Sequence, residues 1–481
     1  MSQVSRAGGS TRSISFAMLA LALFAGAYLR FTDLGVREMS ADEGASWAAA
    51  SAPTIREVLR AQNHLNPGKA GLHDLALHLW MRVFGERLTA MRALSATIGT
   101  LVILLVFGAA REIFAARSQA DESVGSSSDQ RDEAAAIAAL IFAVSLITIK
   151  YSREVRMYPI VIAALVAQTW CFFGALRSGS TTAYAGVAIF TAMALAAHLT
   201  AVLAFSGEGL WLLYVMIANR VDLTAIAVRR ALAVALAVGI GALMLAPLAP
   251  TVIGSAAHAA DIGAIDWIKR PAPWAPFALF NKATGSFAFP AMVALAVWAV
   301  IRGWQRWQTA IIFALLWMWA PPLLLMVVSY VIRPAFVERY LLSCFVPFFL
   351  LVAIGIVEIP KQWARLGAIV LMVALAIGHV IAWNRKPHDA QWLEAVRVAT
   401  TNAGTDGTVA VAPGYATSVV VYYLSENQPG PVAHPASANG IDPAAVAIIG
   451  DQGVALATTA ALDGEYPRVL ANLRGVVVRG R

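Results

Sequence analysis

Apolar runs of about 20 residues recur along this chain, and a run of that length crosses about 30 Å of hydrocarbon as a helix rising about 1.5 Å per residue. Helices suit that solvent because every backbone polar group is bonded inside the segment. Eleven runs are read, at 14–31, 92–110, 134–149, 158–176, 182–198, 200–218, 231–250, 286–302, 308–331, 340–359 and 365–383. The 481 residues are 59% hydrophobic and 13% charged, against about 25% charged in soluble domains. The expected fold is a polytopic α-helical membrane protein. A net charge of +8 is not gathered into a basic stripe interleaved with aromatics, so no nucleic-acid partner is expected. Cys171 and Cys344 lie inside apolar runs and read as core residues, neither a disulfide nor a metal pair. Arg6, Arg12, an apolar run and Ala25-Gly26-Ala27 also fit a cleaved signal peptide. Ser15 to Arg30 with its flanks is long enough to span, so an anchor is the reading adopted.

The organisation is a membrane region, 1–383, and a tail, 384–481. Between the first two runs lies a mixed loop, 32–91, with short amphipathic helices expected at 53–62 and 72–84. The tail alternates a helix-like stretch, Gln391 to Thr401, with the β-branched runs "TVAVA" and "GVVVRG", the pattern of a small α/β domain outside the membrane. Segment 118–133, "SQADESVGSSSDQRDE", reads as a flexible polar loop. With a cytoplasmic N-terminus, an odd number of spans puts loop 32–91 and the tail together on the outer side. Setting long segments aside, 13 Lys and Arg fall inside against 8 in short outer loops, a moderate bias in that direction.

The outer cations recur at each return to that face: Lys69; Lys150, Arg153 and Arg156; Lys269 and Arg270; Arg333 and Arg339. Guanidinium forks suit phosphate oxygens and Lys adds a point charge, so a phosphate carried at the membrane surface fits them. Non-specific contact with lipid headgroups or pairing with nearby acids fits each one singly. The acidic pair Asp42 and Glu43, in "SADEGASW", is open to two readings. It pairs with Arg37 or caps a helix starting near Ala45, or one carboxylate serves as a general base with its neighbour in support.

The text "TDLG…MSADEGASW", "NPGKAGLHDLALHLWMRVFG", "RLTAMRALSATIGTLVILLVFGAAREIF" and "YSREVRMYPI" resembles GT-C glycosyltransferases of the protein O-mannosyltransferase and lipid A aminoarabinose transferase type (family 39-like). The resemblance covers roughly residues 14–210, with a weaker echo in "RPAFVERYLL". It implies a GT-C-like fold whose donor is a polyprenyl-phosphate monosaccharide, whose acceptor is a glycan, lipid or protein hydroxyl, and whose reaction inverts the anomeric carbon. It implies that Asp42 is the base and Glu43 its support, that Lys69, Arg153 and Arg156 lie near the donor phosphate with Arg333 or Arg339, and that Glu154 and Tyr158 line the substrate cavity. His198, at an outer turn, belongs to that cavity or is an ordinary cap. The implied location is a bacterial inner membrane, with the site and tail on the periplasmic side among membrane lipids. The chain departs from many relatives in reading Ala70-Gly71-Leu72 where they read Pro-Pro-Leu.

No D-x-D occurs in the first outer loop, and His64, His73 and His78 lack i, i+4 ligand spacing, so no metal site is expected. A divalent cation held by the carboxylate pair and a substrate phosphate stays open as a cofactor. Glu208, inside a span, reads as facing a partner in the bundle. Trp267 and Trp274 read as part of the interfacial aromatic belt, with closure over a substrate the other reading. The alternative function is a lipid or glycan transporter, which would carry repeated halves and midplane ionisable pairs. A glycan polymerase is disfavoured by the modest 251–285 loop. The expected discriminator is the largest cavity: beside Asp42 and Arg156 for the enzyme, near the midplane for a transporter.

Overall fold

The computed structural model describes residues 2–116, 128–219, 225–261, 267–386, 391–403, 408–412, 416–426, 432–435, 445–451, 468–473 and 476–480. Most of the loop expected at 118–133 lies outside them. The chain opens with α1 (Ser2–Phe31), followed by the loop helices α2 (Ala41–Ala50), α3 (Ile55–Leu65) and α4 (Leu72–Phe84). Next come α5 (Leu88–Ala115), α6 (Ser128–Val144), α7 (Leu146–Ser152), α8 (Tyr158–Ser178), α9 (Thr181–Ala197) and α10 (Ala204–Ala218). The bundle continues through α11 (Ile226–Leu243), α12 (Ala249–Asp261), α13 (Ala275–Thr284), α14 (Ala288–Val331), α15 (Phe345–Val357) and α16 (Gln362–Asn384).

Among the described residues, eight helices are long and apolar enough to cross a membrane, or nine if α6 and α7 form one span bent by 58°. The sequence reading expected eleven. It counted α9, which at 17 residues is a shorter apolar helix, and it split 286–302 from 308–331 where one 44-residue element runs with non-helical backbone at Trp307. Straight, α14 would be about 66 Å long. Yet Tyr330, near its end, hydrogen-bonds the carbonyl of Pro271 at 2.6 Å, in the segment that leads through α13 into the element's start. Trp307 instead meets Phe114 and the Glu358 carboxylate. The chain therefore doubles back at Trp307.

At the bend between α6 and α7 the helix ladder breaks, and freed carbonyls need donors. Thr148 Oγ1 donates to Phe142, and the fully buried Arg30 of α1 donates to Ala143 at 2.8 Å and reaches Thr148 and Ser152. A polar side chain deep in the bundle thus fixes the direction in which α7 leaves it. Glu208 is likewise partnered inside the bundle, by Gln168 and Thr169 of α8 at 2.9 and 3.1 Å.

The tail supplies α17 (Trp392–Ala403), β1 (Thr408–Ala412), α18 (Thr417–Glu426), β2 (Val432–Pro435), β3 (Ala445–Asp451), β4 (Arg468–Leu473) and β5 (Val476–Gly480). The five strands form one sheet ordered β2-β1-β3-β5-β4, parallel across β2-β1-β3 and antiparallel across β3-β5-β4. The runs "TVAVA" and "GVVVRG" supply β1 and β5, where β-branched side chains suit a pleated surface. Apolar residues of α17, α18, β1 and β5 share one core with Met39, Trp47, Leu77, Met91 and Val155. The tail therefore lies on the same side of the bundle as loop 32–91. Tyr423 Oη accepts from the Met39 amide at 2.7 Å and Tyr422 Oη from Leu88 at 3.1 Å, while the Tyr422 ring meets Trp47 edge-on.

One buried ion pair joins the loop to the bundle. Arg92 of α5 donates to both oxygens of Glu43, at 2.8 and 2.9 Å, and to the carbonyls of Leu34, Arg37 and Glu38. Truncating one partner leaves the other charge buried without compensation. Arg92→Ala is expected to lower unfolding free energy by about 3–5 kcal/mol, read as an earlier thermal transition in detergent. An unchanged transition would deny the pair its anchoring role.

Candidate active site

Loop 32–91 places its two adjacent acids on different faces of α2. Ser40 is the N-cap, its hydroxyl accepting from the Glu43 amide, and the Glu43 carboxylate returns a bond to the Ser40 amide. This is the S-x-x-E capping box. The helix thus begins at Ala41 rather than near Ala45, and Ser40 caps it rather than Asp42. Glu43 Oε1 also accepts from the Val155 amide at 2.9 Å. Burial alone would raise its pKa, but the Arg92 charge and these hydrogen bonds outweigh it and hold the carboxyl below its ordinary value. Its partner is Arg92, and Arg37 instead stacks on Trp383.

Asp42 points elsewhere, its side chain 52% exposed. Arg339 donates to its Oδ2 at 3.2 Å and Arg156 stands 3.8 Å from the same oxygen, so Oδ1 receives no hydrogen bond among the described residues. The Arg156 charge, then Arg339 and Lys69 against the effect of burial, pull its carboxyl below the usual range. Arg156 is held in turn by the Asp42 carbonyl at 2.7 Å, Asn66 Oδ1 at 2.9 Å and Ser46 at 3.2 Å.

The third cation comes from the turn between α3 and α4. Gly68 and Gly71 there have φ of +82° and +86°, conformations open to glycine and closed to proline, whose ring fixes φ near −65°. The turn therefore differs from one built on Pro-Pro-Leu, and a Cβ at Gly71 would collide with Leu59. Backbone bonds from Ala70 to Ala196 and from Leu199 to Gly68 dock it beside His198. Lys69 is buried, 2% exposed, and its Nζ has no hydrogen-bond partner among the described residues. Burial and then the neighbouring Arg156 push its pKa down to about 7, against the attraction of Asp74 and Asp42.

Around this centre lie further expected residues. His198 Nδ1 accepts from the Thr200 amide at 3.1 Å, which leaves the ring proton on Nε2 in the neutral form. Burial and then the charge of Lys69 lower its pKa to about 3. Its ring faces Tyr340, and with Tyr158 and Arg339 it lines a crevice floored by Ile162, Leu165 and Leu342. Glu154 is half-buried, and burial pushes its pKa up to about 7 against the pull of Lys150.

One expected residue is not brought to this centre. Arg153 donates to the Leu29 carbonyl at 2.9 Å and to Asn384 at 3.2 Å, in a separate crevice with Asp33 and Arg37. Arg333 is half-buried where the chain leaves α14. Sequence reasoning weighed His73 only as a metal ligand and did not place Asn66, Tyr340 or the contiguous pair His73 and Asp74, buried beside Lys69, in the site. The "NPGKAGLHD" text held Asn66, His73 and Asp74 in plain view; Tyr340 carried no signal beyond its neighbour Arg339. Trp267 stacks on Arg339, 5.4 Å from guanidinium to ring, so this belt residue also borders the site. Among the described residues no three His, Cys, Asp or Glu side chains converge as metal ligands would.

Among the described residues a large cavity lies away from Asp42. It holds about 550 Å³ near the far ends of α5, α8, α10 and α11.

No family model and no curated protein matches this chain. Its structure is similar to two crystal structures of ArnT from Cupriavidus metallidurans. For the apo state the TM-score is 0.63 at 13% identity, and for the form bound to undecaprenyl phosphate it is 0.57 at 12%. Each likeness covers 96% of this chain and 97% of the other. The overall fold is therefore similar to that of ArnT.

Glu154 supplies a test of the site's electrostatics. A carboxyl with a raised folded pKa contributes stability at low pH that is lost as pH rises from its unfolded value through about 7. Glu154→Gln removes that loss. Between acid and mildly alkaline pH, the stability difference between variant and wild type should move by up to about 3 kcal/mol in the variant's favour. Parallel pH–melting curves would show instead that the carboxyl is freely hydrated.

Proposed function

We propose that this chain is a GT-C-type glycosyltransferase that moves a monosaccharide from a polyprenyl-phosphate donor to an acceptor hydroxyl, with Asp42 as general base. The observation that carries the reading is a set of buried donors beside one half-exposed carboxylate. Lys69 Nζ, Asn66 Nδ2 and Arg156 Nε have no acceptor among the described residues. An unmatched buried donor costs about 1–3 kcal/mol, more if charged, and a phosphate supplies the missing acceptor oxygens. The ArnT structure bound to undecaprenyl phosphate, on the same fold, supports a lipid phosphate as the ligand.

In this reading Asp42 Oδ1 takes the proton of the acceptor hydroxyl as its oxygen attacks the anomeric carbon. The bond from that carbon to the phosphate oxygen breaks, its electron pair leaves with the phosphate, and the anomeric centre inverts. Lys69, Arg156 and Arg339 offset the charge that develops on the departing phosphate. Asp42 is ionised at neutral pH because the same cations lower its pKa. Glu43, saturated by hydrogen bonds, positions α2 and takes no proton. The reaction is assigned to the periplasmic face of a bacterial inner membrane, where the lipid carries sugar that nucleotide donors do not supply. The acceptor is a glycan, lipid or protein hydroxyl.

With a synthetic polyprenyl-phosphate monosaccharide, Asp42→Asn is expected to lower turnover by at least about 100-fold while leaving the thermal transition in place. Near-normal transfer by the folded variant would overturn the base assignment. The cationic form of Lys69 is lost as pH rises through about 7, so the donor KM should climb above that pH. Lys69→Arg, charged throughout, should flatten the rise; an identical climb in that variant would remove Lys69 from the phosphate site.

A further inference from the structure

The cavity of about 550 Å³ belongs to the other end of the bundle. α8 starts at Tyr158, beside Arg156, and ends at Ser178, 21 residues and about 30 Å further on. Arg177 in its last turn and Glu112 near the end of α5 line the cavity, bonded to each other through two oxygens at 2.8 and 2.9 Å. Arg230 of α11 lines it too, donating to the carbonyls of Leu176 and Arg177 at the end of α8. Among the described lining residues two guanidiniums stand against one carboxylate. Deeper in, the wall is aromatic: Phe173, Trp211 and Tyr214. Trp211 is 4% exposed, and its Nε1 donor is buried with no partner among the described residues.

A cationic rim, an apolar wall and an unused N–H at the depth of the opposite membrane surface match one class of ligand. We propose that this cavity binds an acidic glycerophospholipid from the leaflet opposite Asp42. The headgroup phosphate sits at Arg230 and Arg177, the glycerol-ester region takes the Trp211 hydrogen bond, and the first methylenes of one acyl chain lie on Phe173 and Tyr214. Charge complementarity selects the anionic headgroup, as for basic pockets between spanning helices elsewhere. A volume of about 550 Å³ holds a headgroup and part of a chain, with the remainder running along the bundle in lipid. This site is independent of the transfer chemistry: it shares no residue with the Asp42 centre.

The test is native mass spectrometry of the full-length protein, released from a mild non-ionic detergent, with dioleoyl phosphatidylglycerol and dioleoyl phosphatidylcholine added at equal concentration. Wild type should retain the anionic lipid in preference. Trp211→Phe, which keeps the ring and deletes the N–H, should lower that retention about fivefold, the equivalent of one hydrogen bond. Arg230→Gln should lower it as well, Arg230→Lys should hold it, and Asp42→Asn should leave it unchanged. Thermal melting of each variant separates a lost site from a lost fold. Equal retention of the two lipids, or undiminished retention of the anionic lipid by folded Trp211→Phe and Arg230→Gln, overturns the proposal. Displacement of the anionic lipid from this site by undecaprenyl phosphate at equal concentration overturns its assignment to a glycerophospholipid.

Discussion

The ion pair between Glu43 and Arg92 holds together the three parts of the chain on which the site depends. One carboxylate accepts from Arg92 twice, from Ser40 and from the Val155 amide, so helix α2, helix α5 and the 153–157 turn converge on it. The cost of burying two charges is recovered only where nearly every donor and acceptor is used, and here Arg92 also satisfies three carbonyls. Adjacent helical residues point about 100° apart. Fixing Glu43 inward therefore turns Asp42 aside, towards Arg156 and Arg339. The acidic pair divides its labour: one acid anchors the helix and the other stays available.

Around Asp42 the charges do not balance locally. Arg156, Arg339 and Lys69 face one half-exposed carboxylate, with Asp74 behind Lys69 as the second negative charge. Such an arrangement lowers the proton affinity of Asp42 and, with burial, that of Lys69, while burial raises that of Glu154 nearby, so the Lys69 ammonium is poorly held. A dianionic ligand would restore that proton as it binds. Lys69 thus couples protonation to occupancy in a way that an arginine, charged in every state, cannot.

Much of this was legible in the residues. Hydropathy placed a helix at each expected run, because a membrane solvent leaves little choice of backbone. The tail's strands and the loop helices followed from their patterns. The count of passes was harder: the reversal at Trp307 falls where the polar text Arg302 to Arg306 had separated two runs, although a single 44-residue element runs through it, and α9 falls just short of a full span. Lys69, Arg156, Arg339 and His198 were found as charges or polar groups near span ends, and the structure gathers them around Asp42. Arg153 was grouped with Arg156 by its place in "YSREVRMY", yet three residues around a tight turn send a side chain to a different crevice. The S-x-x-E box that assigns Glu43 its anchoring role was present in the text, but the partner Arg92 lies 49 residues away and no local rule names it.

Helix α2 is packed against α18 so closely that a methyl group on Gly44 would strike the Val419 backbone at 2.7 Å, and Met39 reaches its hydroxyl partner 384 residues later. A ribosome adding about 5–20 residues each second needs roughly 20–80 s to make the distance between them. For that interval the nascent loop stands without its cover. The chamber around Asp42 is thus completed at the end of translation, and a prematurely terminated chain inserts into the bilayer with the loop's apolar face still bare.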